Sequence, residues 1–167
     1  NLEPYRRRRQ RQVPSSDLTE LIELIGAPFV TTLTALDVMP SEHPLNLRMP
    51  GMHGTVAAVG ALQRADVIVC LGARFDDRVT GRLDTFAPEA RIVHIDLDPS
   101  SISKNVTVDI PIVADCTLAL SAINRWLDGK GDGGEHAVQE QLAPWRRQIA
   151  DWQAAHHLAY TDQDEVI

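Results

Sequence analysis

The residues best suited to chemistry stand at the ends of short apolar runs. Gly72, Ala73 and Arg74 follow one such run, Asp96, Leu97 and Asp98 end a second, and Asp115 and Cys116 follow a third. A glycine lets a ligand approach the backbone closely. A guanidinium such as that of Arg74 binds a phosphate or stacks on an adenine. Carboxylates such as those of Asp96 and Asp115 accept hydrogen bonds from ribose hydroxyls or from an adenine amino group. His53, Gly54 and Thr55 fall where a helix is expected to start, and free N–H groups there can hold an anion. Thr31, Thr32 and Leu33 lie at the end of a further β-forming stretch. Each of these residues also has a plainer role. Aspartates at strand ends cap loops, arginines form ion pairs, and glycines make turns. Convergence on one edge is what points to a nucleotide. Neither the GxGxxG fingerprint nor a phosphate-binding Walker loop is present.

No catalytic constellation emerges. His43, His53 and His94 lack metal-ligand spacing with one another or with the cysteines, so no metal is expected. There is no GxSxG nucleophile elbow. Asp76 and Asp77 are adjacent, which points them apart, and pairing with Arg74 or Arg78 is the expected role.

The elements that must position these residues can be read from periodicity. A helix starts near Asp17, with Asp17 and Glu20 as a capping-box pair and Ser16 as an alternative cap, and Gly26 with Pro28 closes it. Strands are expected at 29–33, 67–71, 92–97 and 110–113. The 67–71 run is continuously apolar, as in a strand buried on both faces. Helices are expected at 54–64 and 118–127, a flexible break at 129–134, and a polar helix at 135–157 interrupted near Pro144. Short apolar strands alternating with helices indicate an α/β fold with a doubly wound parallel sheet flanked by helices. Ligands bind such sheets beyond the carboxyl ends of the strands.

Composition narrows the class. The 167 residues are 44% hydrophobic and 23% charged, ordinary for one globular domain. No apolar stretch is long enough to span a membrane. The formal charge of -7 argues against nucleic acid as main partner. Cys70 and Cys116 read as free thiols of a cytoplasmic protein. Residues 1–14, with Arg6, Arg7, Arg8, Arg9 and Arg11, read as a solvated basic arm, 15–128 as the nucleotide-binding domain, and 129–167 as a break, a helix and a linker.

Two segments carry a family resemblance. Arg74-Phe75-Asp76-Asp77-Arg78-Val79-Thr80-Gly81 resembles the RFDDRVTG signature of acetohydroxyacid (acetolactate) synthase large subunits. Met49-Pro50-Gly51-Met52-His53-Gly54-Thr55 resembles their M-x-G-M-H-G-T segment. Thr31-Thr32-Leu33, His43-Pro44, Phe86-Ala87-Pro88 and Lys104-Asn105 occur between and around them in the family's order. The resemblance implies the central domain of a thiamine-diphosphate enzyme, holding FAD in a non-redox role. It implies cofactor contacts at Thr31, Thr32, Leu33, His53, Gly54, Thr55, Gly72, Ala73, Arg74, Asp76, Arg78, Asp96, Leu97, Asp98, Asp115 and Cys116. Thiamine diphosphate and Mg²⁺ would belong to the complete enzyme, which condenses two 2-keto acids such as pyruvate. The 167 residues alone are expected to be inactive and to pair, if with anything, with another synthase subunit. The alternative is a stand-alone nucleotide-binding or synthase-interacting module.

The sequence departs from the family in three places. Ala114 stands where the family has glycine, a methyl expected to crowd a ribose, and Ser103 replaces the glycine of Ile-Gly-Lys-Asn, a change expected to be mild. The family's first strand and glycine-rich turn have no counterpart in 1–14, so the sheet is expected to lack its first strand and FAD binding to be weakened or lost. An arginine run is also what consecutive glycine codons give when read out of frame.

Overall fold

A computed structural model describes residues 15–129 and 132–156. The arginine-rich arm, His157 and the 165–167 linker lie outside the described residues.

The centre is a parallel sheet of three strands in the order β1-β2-β3, formed by β1 (Val67–Leu71), β2 (Arg91–Asp96) and β3 (Ile110–Val113). Val67 pairs with Arg91 and Cys70 with His94. On the other side of β2, Val93 pairs with Ile110 and Asp96 with Val113. Because side chains alternate along a strand, this register sets Ile68, Cys70, Ile92 and His94 on one face. That face packs against Phe75, Phe86 and Ala87 and forms the main core cluster. The opposite face of β2 carries Ile95, fully buried, and α4 (Cys116–Asp128) contributes the equally buried Leu120. The parallel α/β architecture expected from the sequence is therefore observed.

The remaining helices are α1 (Ser15–Ile25), α2 (Val56–Gln63), the short α3 (Asp77–Thr80) and α5 (Asp132–Ala155). Helix α1 ends as expected at Gly26, whose N–H donates to the Ile22 carbonyl at φ +64°. Its start differs from the capping box read in the sequence. The helix already runs at Ser15, and Asp17 and Glu20 join α1 to α4 instead. Ser121 Oγ donates to the Asp17 carboxylate at 2.6 Å, and Asn124 Nδ2 donates to the Asp17 carbonyl and the Glu20 carboxylate.

Three further expectations are corrected. Residues 29–33 do not form a strand. Phe29 makes a single parallel bridge with Asn46, and Leu33–Ala35 turns into a 3₁₀ helix. Strand β1 is not buried on both faces, since Val67 and Val69 are about half exposed, at 51% and 48%. Helix α5 begins within the expected break and runs through Pro144 without interruption. A second core cluster explains its hold, with Leu47, Ala58, Ala61 and Ile149 packed against Trp145 and Trp152. Gly60 is where Trp152 lies close on α2, and the Arg64 guanidinium covers the same ring at 5.3 Å. The tertiary packing of two indoles outweighs the one ladder hydrogen bond that a proline removes.

The burial pattern makes a direct stability prediction. Leu120 is fully buried and Leu118, two residues earlier and so on the opposite side of the helix, is 70% exposed. Leu120→Ala is expected to cost about 3 kcal/mol through transfer and cavity terms, and Leu118→Ala less than about 0.5 kcal/mol. Urea denaturation of the two variants checks this, and equal losses would contradict the placement of α4.

Candidate functional site

The carboxyl ends of the three strands are tied together by backbone. Gly72 N–H donates to the Ile95 carbonyl at 2.8 Å, and Ala114 N–H donates to the Asp96 carbonyl at 3.1 Å. The Cys116 thiol reaches the same Ile95 carbonyl at 3.6 Å. Gly72 adopts φ +63°, a left-handed conformation that glycine enters without strain. Its open side faces Cys116 Sγ. Gly72, Ala73, Asp96, Leu97, Asp98, Asp115 and Cys116 thus come to one edge, as expected from the sequence.

The aspartates there each carry a local duty, which at Asp96 and Asp115 leaves carboxylate capacity over. Asp115 is the N-cap of α4, accepting from Thr117 N–H at 2.8 Å. Asp96 accepts from Asp98 N–H at 2.8 Å, and its second oxygen lies 4.0 Å from His94 Nε2. Asp98 accepts from the N–H and hydroxyl of Ser100. His94 is a core residue, as read from the sequence. It is fully buried, neither ring nitrogen has a hydrogen-bond partner, and Phe75 meets it edge-on at 5.4 Å. Burial lowers its pKa and so favours the neutral imidazole, with Asp96 pulling the other way. Cys70 donates to the Ala73 carbonyl at 2.9 Å, and burial pushes its thiol up to about 12. Burial raises the Cys116 thiol as well. Neither cysteine is a reactive thiolate.

Beyond β1 the chain turns through Phe75, which sits at φ +50° with its ring buried against Phe86 and His94. This turn leaves Arg74 exposed at 69% and paired with Asp76 at 2.5 Å. Asp76 also caps α3 by accepting from Arg78 N–H. Its pKa is held down at about 2 by hydrogen bonding with Asp77, by the Arg78 N–H and by the Arg74 guanidinium. Of the pairings expected from the sequence, that of Asp76 with Arg74 forms, whereas Asp77 hydrogen-bonds with Asp76 and does not point away from it.

The Met49–Thr55 segment packs directly on this loop. Met52 N–H donates to the Arg78 carbonyl, and a Cβ on Gly51 would collide with that same carbonyl. Gly54 is equally tight, since a side chain there would run into the Met49 carbonyl and Pro50. Thr55 caps α2, accepting from Ala58 N–H at 3.0 Å and donating to the Leu47 carbonyl at 2.7 Å. His53 and Met52 are exposed beside the cap. Thr31 is bonded to a different neighbour, its N–H donating to the Arg48 carbonyl. Its hydroxyl is buried without a partner. Thr32 shares a hydrogen bond with Thr34, and Leu33 is 69% exposed. These three stand apart from the strand-end group in their hydrogen bonding.

One residue was matched in the sequence only as part of a motif and given no role there. Asn105 Nδ2 donates to the carbonyls of Arg74 at 3.1 Å and Phe75 at 2.9 Å, 31 and 30 positions away in the chain. No periodicity marks such a contact. The two glycine replacements also sort themselves out. Ala114 is not among the left-handed residues, so its methyl causes no backbone strain, whereas Ser103 sits at φ +55°. The change at 103 is therefore the costlier one.

Among the described residues, no group of three or more His, Cys, Asp or Glu side chains is arranged to hold a metal ion. None of their helices is long and apolar enough to cross a membrane.

Two predictions come from the loop. The fold favours the ionised form of Asp76, so its contribution is complete above the ordinary carboxyl range near pH 4. It is lost as pH falls through about 2. Asp76→Asn should flatten the fall of the melting temperature over that window. An unchanged acid limb would show the pairing to be energetically silent. Ser103→Gly is expected to stabilise by about 1 kcal/mol by relieving the left-handed backbone. A lowered urea midpoint would contradict it.

Comparison with known proteins agrees with this architecture. Residues 9–123 match the family model described as "Thiamine pyrophosphate enzyme, central domain". The chain is 48% identical over 151 residues to an acetolactate synthase of Mycobacterium avium, covering 90% of this chain and 24% of that protein. It is 53% identical over 107 residues to the acetolactate synthase large subunit of Corynebacterium glutamicum, covering 64% of this chain and 17% of the relative. It is 50% identical over 113 residues to the chloroplastic acetolactate synthase 1 of Zea mays, 68% and 18% of the two chains. The chain spans about a quarter or less of the length of these relatives.

Proposed function

The chain belongs to the family of thiamine pyrophosphate enzyme central domains, of the acetolactate synthase type, and on that premise we propose that it is an FAD-binding central domain. The observation that carries this reading is the strand-end edge. Gly72 in a left-handed turn, an exposed guanidinium at Arg74 and spare carboxylate oxygens at Asp96 and Asp115 share it.

The donor set fits the adenosine half of the cofactor. Asp96 and Asp115 would accept from ribose hydroxyls or the adenine amino group, and Arg74 would meet the diphosphate. Leu97 and Val113, exposed at 40% and 59%, offer apolar surface beside them for a ring. Gly72 and Ala73 would let the ligand approach the backbone, with Asp98 and Cys116 bordering it. His53, Gly54 and Thr55 form a capped helix start, a second place for an anion. Thr31 brings a buried hydroxyl that lacks a partner. Thr32 and Leu33 beside it, and Asp76 and Arg78 in the loop, would complete the border.

Bound FAD would serve as a structural body and not as an electron carrier. The condensation of 2-keto acids would depend on thiamine diphosphate and Mg²⁺ held elsewhere in a complete synthase, with the 167 residues alone inactive. Pairing with another synthase subunit and a cytoplasmic setting go with this reading. The half-exposed Val67 and Val69 of β1 are the surface that favours an interacting module.

Titration with FAD, followed by quenching of flavin fluorescence, tests the proposal. Weak but saturable binding is expected, displaced by ADP and not by riboflavin. Arg74→Ala should weaken it about tenfold, the size of one lost charge-assisted contact. Quenching that never saturates, or that Arg74→Ala leaves unchanged, would overturn the assignment.

A further inference from the structure

We infer that Asn105 is a positioning residue for the ligand site, acting through Arg74 by clamping the two carbonyls on either side of the Phe75 turn. The inference rests on the reading of Arg74 as a phosphate contact.

Phenylalanine at φ +50° is an outlier, since its Cβ crowds the following carbonyl in the left-handed region. Something must over-determine that conformation. Burial of the ring against His94 and Phe86 holds the side chain, but it leaves the peptide groups on both sides unconstrained. Asn105 constrains them. Its Nδ2 has two hydrogens, and the Arg74 and Phe75 carbonyls accept one each. The amide therefore fixes the direction in which Arg74 leaves the strand end.

The clamp has its own support. Asn105 lies two residues after Ser103, whose left-handed turn at φ +55° returns the 98–105 loop toward the Arg74 turn. One side-chain amide thus ties the segment just after one left-handed residue, Ser103, to the turn at another, Phe75. Arg74 itself is held on its other side by Asp76. A guanidinium that is 69% exposed would otherwise sample many rotamers, and the entropy of ordering it would fall on the bound state. Fixing its backbone origin removes part of that cost. Asn105 itself would touch no ligand.

The test is a double-mutant cycle on FAD and ADP binding by the 167-residue chain. Asn105→Ala should weaken both ligands about tenfold, the effect of losing two neutral hydrogen bonds that orient a charged one. Asn105→Asp keeps the volume but cannot donate, and is expected to lose at least as much. In an Arg74→Ala background, Asn105→Ala should cost less than about twofold more. The salt dependence of ADP binding should flatten in Asn105→Ala as it does in Arg74→Ala. Full additivity of the two substitutions would overturn the inference, as would a salt dependence in Asn105→Ala equal to that of the unmodified chain. If Arg74→Ala alone has no effect, the phosphate reading of Arg74 has failed instead. If Asn105→Ala does not fold, Asn105→Asp supplies the same cycle.

Discussion

The Ile95 carbonyl is the point on which the strand-end edge depends. It belongs to the central strand and to a residue with no solvent exposure. It accepts the Gly72 N–H from the β1 side and the Cys116 thiol from the start of α4. A carbonyl has two lone pairs, so it can serve both neighbours. The turn after β1 and the first residue of α4 are thereby held at a common height. With the Ala114 N–H on the Asp96 carbonyl, the loops after the three strands are spaced by two backbone hydrogen bonds and one short thiol contact. Rigid backbone is what allows short side chains such as aspartate to act at a defined place.

From that edge, order spreads outward through carbonyl contacts. Asn105 takes the Arg74 and Phe75 carbonyls, and the Met49–Thr55 segment takes the Arg78 carbonyl through Met52 N–H. The second contact demands Gly51, because any side chain there would occupy the oxygen's position. The two motifs that stand apart in the sequence are therefore one packed unit. Gly51 and Gly54 answer to neighbouring backbone first, and any role toward a ligand is additional.

Much of this was legible in the sequence because strand ends announce themselves. A run such as Val67–Leu71 followed by glycine stops being a strand at an identifiable residue, and the parallel topology then gathers such ends on one side. Residues 29–33 misled because Phe29, Val30 and Thr31 are good β-formers. They do extend and bond to 45–48, yet only one bridge completes. Propensity registers extension and is blind to a partner's length. Pro144 misled in the opposite direction, since its local cost is plain and the Trp145 and Trp152 packing that offsets it is tertiary. Asn105 and the left-handed backbone of Ser103 lay beyond reach, because both are properties of a loop folded onto another loop. Within the candidate site, residue types pointed to a nucleotide, while the division of each carboxylate between cap and spare oxygen needed coordinates.

The placement of the aromatic residues has an optical consequence. The chain's three tryptophans are Trp126, Trp145 and Trp152, and all lie on α4 or α5. Trp126 is 63% exposed, whereas Trp145 and Trp152 meet edge-to-face at 5.6 Å with a guanidinium over the latter. Intrinsic emission is thus a superposition of a red-shifted, easily quenched indole and a shielded pair whose signal follows the docking of α5 on α2. The strand-end edge holds no indole. A chromophore settling there would dim this emission through space by energy transfer, while detachment of the last helix would change its colour, so the two events are separable in one spectrum.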